Sequence, residues 1–415
     1  MDPPSIFSHD FKRKLRVCLN CGRCDHLCPM FSRLREVAES RGEGEAPLSD
    51  SECLELIELC YDCKLCIFGC PERYDIPEEI RRAKARGSEA FGRSVCTRLL
   101  MNPERLGKVG GSLWPFSNYI VGNPLSRWVA DKLLGIAKER PLPRFARQSL
   151  RGWFEGRGQE IQKVNQEISG KAALFAGCYT MYFEPSVAIM ASEMLGGSGL
   201  QVVLPEQGCC GLPRLVEGDI EGALEFIRDN LATLGRVVRE GYDLVTPCNS
   251  CAVMLCFEYP DLVRGDEARL ISDATCDIIQ YMALLHQKGK LPLNLRPQPA
   301  RVAYYVSCHR RVLQVGAPAL ALLQMVPKLE IETVDAGCCG FGGTWGFQKK
   351  NYEISLGWGK ELFEELKRGA WDAVVTECAL CREQIREGTG LKVLHPLELM
   401  LSSQSTEARS GSGRS

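Results

Sequence analysis

A pattern of cysteines occurs twice in this chain at one spacing, and that duplication limits the fold more than any other feature. Cys178, Cys209-Cys210-Gly211 and Cys248-x-x-Cys251 span 73 positions, and Cys308, Cys338-Cys339-Gly340 and Cys378-x-x-Cys381 span 73 again. The inner spacings differ by one residue, 31 and 38 against 30 and 39. The flanks repeat as well. Residues 171–177 and 301–307 are short apolar runs ending at a cysteine, 200–204 and 329–334 lead to the cysteine pairs, and 242–246 and 371–376 lead to the closing pairs. Helical periodicity fills the gaps, as at 220–239 and 351–367. Strand, helix, strand, helix, strand predicts a parallel sheet in each copy. Each cysteine then stands just beyond the carboxyl end of a strand, where open sheets of this kind bind ligands. Gly211 and Gly340 are expected to let the backbone pass close to a bulky group. Five thiols per copy point to a metal or iron–sulfur site.

The chain has 415 residues, enough for two or three domains, and 22 cysteines. A disulfide framework would need an oxidising compartment, and residues 1–14 carry no apolar stretch of signal-peptide type. Metal ligation in a reducing, cytoplasmic setting is the better reading of so many thiols at these spacings. With 51 basic against 52 acidic side chains there is no electrostatic case for nucleic acid. No apolar run reaches about 18 residues, so a membrane role is expected to be peripheral or through a partner.

A second duplication lies near the start. Cys18-x-x-Cys21-x-x-Cys24-x-x-x-Cys28-Pro29 recurs as Cys60-x-x-Cys63-x-x-Cys66-x-x-x-Cys70-Pro71. Three thiols at every third residue can wrap one corner of a cubane, and the fourth points to a neighbouring cluster, as in two-cluster bacterial ferredoxins. By exchange, cluster 1 takes Cys18, Cys21, Cys24 and Cys70, and cluster 2 takes Cys28, Cys60, Cys63 and Cys66. Paired zinc knuckles are the alternative, but zinc sites rarely use doubled runs of four. Residues 51–59 (SECLELIEL) have the spacing of a helix with one buried face, which places Cys53 in a core. Cys96, Cys256 and Cys276 are read as core filling too. His26 and His309 adjoin ligand cysteines, where either could donate to sulfur or be satisfied locally.

These motifs, together with the linker DKLLGIAKERPLPRFARQSLRGWF (131–154), FAGCYTMYFEP (175–185) and CCGFGGTWGFQKKNY (338–352), resemble the cysteine-rich, CCG-domain electron-transfer family. That family includes the C subunit of anaerobic glycerol-3-phosphate dehydrogenase, which the chain is most like, the iron–sulfur subunit of glycolate oxidase, and the B and D subunits of heterodisulfide reductase. The resemblance runs from about Cys18 to about Pro396. It implies two cubane [4Fe-4S] clusters in the head and one or two non-cubane [4Fe-4S] clusters at the CCG sites, held by Cys178, Cys209, Cys210, Cys248 and Cys251 and by Cys308, Cys338, Cys339, Cys378 and Cys381. It also implies electrons arriving from an FAD-containing dehydrogenase partner and leaving toward membrane quinone or a membrane subunit. The complete pair Cys248 and Cys251 departs from the glycerol-3-phosphate branch and leans toward the branch that reduces a disulfide.

The expected fold is therefore an α+β multidomain chain: a helical two-[4Fe-4S] ferredoxin-like domain (1–95), an aromatic and basic linker (96–170), two tandem α/β CCG modules with parallel sheets (171–290 and 291–402) and a disordered tail (403–415). The Gly340-x-Gly342-Gly343-x-x-Gly346 run reads as a loop around a cluster rather than a nucleotide fingerprint. No flavin of its own is expected, and electron transfer rather than unaided substrate chemistry. In the linker Trp114, Phe116, Tyr119, Trp128, Trp153 and Phe154 alternate with Arg127, Lys132, Lys138, Arg140, Arg144, Arg147 and Arg151. That mixture suits a cytoplasmic-side membrane interface, a partner surface, or a strap that buries its aromatics.

Overall fold

Helix signals are strong in the first 92 residues, and helices form there. A computed structural model describes residues 6–41, 48–158 and 170–404. Ser8 caps His9–Cys21 by accepting from the Phe11 N–H at 3.0 Å, and Ser49 with Glu52 forms a reciprocal capping box on Asp50–Glu58. Asp75 caps Ile76–Phe91, with Pro77 in its first turn. These helices and Pro29–Arg41 bury Phe11, Leu15, Phe31, Leu34, Leu56, Ile57 and Ile80 in one core. Cys53 is fully buried in it. Among the described residues the head contains no strand.

Two parallel four-stranded sheets follow. In the first, β1 (Gly170–Leu174), β2 (Leu200–Val203), β3 (Asp243–Thr246) and β4 (Thr275–Asp277) run in the order β2-β1-β3-β4. In the second, β5 (Ala300–Tyr305), β6 (Leu329–Val334), β7 (Ala373–Val375) and β8 (Val393–Leu394) run β6-β5-β7-β8. The orders match strand for strand. β1 pairs with both neighbours, Ala172 opposite Val202 and Leu174 opposite Val245. The edge strands β4 and β8 have no counterpart in the sequence reading; they are three and two residues long.

Side chains alternate across each strand, and the alternation sorts the cores. On β1 and the residue after it, Ala173 and Phe175 face helix Ile220–Arg239, whereas Ala172 and Leu174 face the other module. On β5, Ala303 and Tyr305 pack with Leu362 and Ile385, whereas Val302 and Tyr304 join Leu174, Val202 and Met282 in a core that both modules share. Helix Pro185–Gly197 packs on Pro396–Ser403, and its equivalent Pro318–Leu323 packs on Ile278–Gln287. The two modules are thus related by a pseudo-two-fold. Ser402 and Ser403 close the last helix instead of opening a tail, and residues 405–415 lie outside the described ones.

The linker divides into two kinds of surface. Trp153 is buried, and Arg127 and Arg140 are buried as well, so this part of the linker is a strap on the protein. Arg140 donates to the Gly346 carbonyl, Ser355 and Glu387 while lying 4.8 Å from the Phe341 and Tyr352 rings. Trp114, Phe116, Tyr119 and Trp128 are exposed. Among the described residues no helix is long and apolar enough to cross a membrane.

Candidate metal centres

The two head runs fold over one another. Cys18, Cys21, Cys24 and Cys70 line one hollow of about 420 Å³, counting its opening to solvent, with Val17, Phe31 and Tyr74 in its wall. Cys28, Cys60, Cys63 and Cys66 line a second of about 400 Å³, with Met30, Tyr61 and Ile80. Cys66 borders both. The fourth cysteine of each run therefore stands with the first three of the other. Burial pushes Cys18 up to about 12, helped by repulsion from Cys24 and Cys70, and it raises Cys28 further. The Tyr74 N–H points at Cys70 Sγ across 3.4 Å. Among the described residues no three Cys, His, Asp or Glu side chains meet at a point that one ion would fill. The thiols surround a volume instead, which suits a polynuclear group better than zinc.

In each module the five thiols form a chain of contacts. Cys178 touches Cys209, Cys209 touches Cys210, Cys210 touches Cys251, and Cys251 touches Cys248. Cys308, Cys338, Cys339, Cys381 and Cys378 follow the same order, with Cys339 Sγ 3.2 Å from Cys381 Sγ. All ten stand just past the carboxyl ends of the three longer strands of their sheet, as the repeat predicts. Cys248 and Cys378 stand at helix N-cap positions, with no side-chain hydrogen bond closing either cap. The Cys251 thiol and the N–H groups of Cys251 and Ser250 bring Cys248 down to about 7, against the effect of burial. The Cys308 and Cys339 thiols lower Cys338 likewise, aided by the Tyr61 hydroxyl and the Gly340 N–H.

The glycines after the pairs also meet a constraint within the protein itself. Gly211 and Gly340 have φ of +93° and +81°, and a Cβ on Gly340 would stand 2.3 Å from the Ser355 carbonyl. They let the loop turn left-handed close against a helix backbone.

The sequence-based matches agree with this duplication. Lactate utilization protein A of Geobacillus thermodenitrificans is 31% identical over 244 residues, covering 55% of this chain and 98% of that one. The model of the cysteine-rich domain family, CCG, matches residues 172–256 and again residues 302–386. This chain belongs to the CCG family. The C subunit of anaerobic glycerol-3-phosphate dehydrogenase from Escherichia coli K12 is 28% identical over 392 residues, covering 92% of this chain and 97% of that one. The B subunit of fumarate reductase (CoM/CoB) from Methanothermobacter marburgensis is 26% identical over 416 residues, covering 94% and 72%.

The CCG pattern does not include the residues that join the sites. Tyr61, next to Cys60 of the head, reaches its hydroxyl to 3.3 Å from Cys338 Sγ of the second module. Its ring packs 5.6 Å from Trp345, whose indole N–H donates to the Glu58 carbonyl at 2.7 Å. The glycine-rich loop thus grips the head. On the first module's side, Asp62 and Lys64 from the second head run meet Arg81 and Glu258, all buried. Arg81 lies 2.7 Å from Glu258 and 3.3 Å from Asp62, and Lys64 pairs with Glu258. Glu104 of the linker accepts from the Cys209 N–H at 2.8 Å. His309 is half-buried, with Nδ1 2.8 Å from Ser250 Oγ across the module interface, and desolvation takes it down to about 4. His26 is exposed. Cys96 is buried, and Cys256 and Cys276 are half-buried. None of these contacts has a sequence signal beyond proximity to a cysteine.

Proposed function

We propose that this chain is the iron–sulfur electron-transfer subunit of a membrane-associated respiratory oxidoreductase. The observation that carries the reading is contiguity: the two head hollows share Cys66, and Tyr61 spans from the second hollow to Cys338. The closing cysteines of the two modules, Cys248 and Cys378, are close enough to influence each other. Four thiol sets in such a series suit charge moving in short steps.

Cys18, Cys21, Cys24 and Cys70 would hold one cubane [4Fe-4S] cluster, and Cys28, Cys60, Cys63 and Cys66 the other. The five thiols of each CCG module would hold a non-cubane [4Fe-4S] cluster. Such clusters supply one-electron oxidation and reduction. The chain's own work is to bury the sulfurs, aim N–H groups at Cys70, Cys248 and Cys338, and keep the sets in register. Kinship with the C subunit of an anaerobic glycerol-3-phosphate dehydrogenase supports a dehydrogenase partner; in this reading that partner carries FAD and donates the electrons, and quinone or a membrane protein accepts them on the cytoplasmic face of the membrane.

A second reading is favoured by the completeness of both modules and by kinship with one component of a CoM/CoB-dependent reductase. In it the second module reduces a disulfide to two thiols, taking two electrons and two protons. Two measurements on anaerobically prepared protein separate these readings. Cys339→Ser should remove one cluster's spectral signal and leave the head's signals intact, and unchanged iron content would overturn the ligand assignment. Turnover of added disulfide by the chain alone, with dithionite as reductant, would favour the second reading.

A further inference from the structure

Charges normally lie outward and apolar side chains inward, but part of the linker reverses this. Helix Pro124–Leu134 turns Arg127 and Asp131 into the protein. Arg127 donates to the Arg140 carbonyl at 2.6 Å, and Asp131 pairs with Lys349 at 2.6 Å. The same helix leaves Leu125, Trp128 and Leu133 exposed by 69%, 50% and 74%. The preceding helix, Phe116–Gly122, buries Ser117, whose hydroxyl donates to the Gly110 carbonyl, and exposes Phe116 and Tyr119 by 74% and 72%. Ten of the eighteen large apolar side chains exposed among the described residues lie within residues 109–133. Arg127 is the only charged residue between 109 and 130, and it is buried. Isolated apolar side chains on a surface are ordinary, but a continuous face of this kind marks an interaction site.

The geometry points to one occupant for this face: the interfacial layer of a bilayer that contains anionic lipid, entered shallowly by the helices Phe116–Gly122 and Pro124–Leu134. This rests on the membrane-associated reading above and names its surface. The charge around the face decides the partner. Arg98, Arg105, Lys132, Arg144 and Arg147 are exposed on the flanking segments. Arg147 lies with its guanidinium 5.5 Å from the Trp114 ring, at the edge of the apolar face. From residue 92 to 154 Glu139 is the only exposed acid, and it faces Lys138 at 3.6 Å. Two copies of so basic a face would repel each other. An anionic bilayer offers hydrocarbon to the leucines, an interfacial zone to Trp128 and Tyr119, and negative charge to the rim.

The test uses the full chain, loaded anaerobically with its clusters, sedimented with vesicles of phosphatidylglycerol and phosphatidylethanolamine or of phosphatidylcholine alone. Wild type should sediment with the anionic vesicles, more weakly with the neutral ones, and less as salt rises. Leu125→Glu with Leu133→Glu should lower the partition at least tenfold, and Lys132→Gln about fivefold. Iron content and circular dichroism unchanged from wild type would show both variants folded. Wild type that ignores both vesicle types, or a double variant that sediments like wild type, overturns the proposal. So does a wild-type dimer that the double variant converts to monomer, since the face would then belong to a second copy. Visible absorption and its bleaching by dithionite are read on the same samples. Vesicle binding without iron would sink the electron-transfer reading and sustain this one; clusters that bleach in a chain indifferent to vesicles would do the reverse.

Discussion

Tyr61 is the residue on which communication between head and modules turns. Its ring is fixed against Trp345, and its hydroxyl faces Cys338 at 3.3 Å from a buried position. Tyr61→Phe keeps the packing and removes one hydrogen-bonding group. A hydrogen bond to sulfur stabilises the more negative, reduced state of a thiolate-held centre, so its loss lowers the reduction potential. The potential assigned to the second CCG module should fall while those of the head stay in place, as read by an anaerobic redox titration followed by electron paramagnetic resonance. Global stability should change by no more than about 1.5 kcal/mol, the scale of one hydrogen bond. A variant with all potentials unchanged would remove Tyr61 from any such role. Cys248 and Cys378 show the same principle in backbone form: the N–H groups of Ser250 and Cys251 lower the first thiol, and that of Cys381 lowers the second.

Between elements, the decisive joint is the buried quartet Asp62, Lys64, Arg81 and Glu258, two anions and two cations held between the head and the first module. Glu258→Ala leaves Lys64 and Arg81 buried with one carboxylate between them. Removing one partner from such a site costs about 3–5 kcal/mol, far more than the intact site contributes over an apolar equivalent. The expected result is a lowered denaturation midpoint; a change below about 1 kcal/mol would show that water reaches the site. The quartet had no sequence signature, because its members come from three separate stretches, Asp62 with Lys64, Arg81 and Glu258, whose relation is spatial. The sheets were far more legible. Residues 329–334 and 220–239 form the strand and the helix that their periodicity predicts, since apolar alternation and helical spacing are local properties. β4 and β8 escaped because two or three residues hold no period, and pairing to β3 and β7 alone makes them strands. The sequence left the burial of Arg127 and Arg140 open for a related reason: only the fold shows that backbone carbonyls and Glu387 supply partners inside. The cysteine sets were legible as sets, because each motif is a spacing. Their mutual contacts were not, because those depend on how three folded units dock.

At the scale of the whole molecule, the two CCG modules share a core and a duplicated plan. Each turns one sheet face outward to its own helices and gives the other to a common core. Eleven buried side chains of the second module, among them Val302, Tyr304, Leu322, Val375 and Met400, pack in that core against the first. Uncovering a buried aliphatic or aromatic side chain costs about 1.5–3 kcal/mol as an upper estimate, so losing even half of this face removes an amount comparable to a domain's whole stability of about 5–15 kcal/mol. A fragment of residues 291–404 should therefore bind a hydrophobic dye strongly and melt without a cooperative transition, although its sheet is complete. Adding residues 170–290 as a separate chain should restore a single sharp transition. The same reasoning applies to Leu322→Asp in the intact chain. The substitution lies in the second module, yet it should destabilise both sheets together, because the buried charge falls in the core they share. Hydrogen exchange would check this directly, with amides of β1 and β5 losing protection in parallel. Loss confined to β5 would mean that the modules fold independently and merely touch.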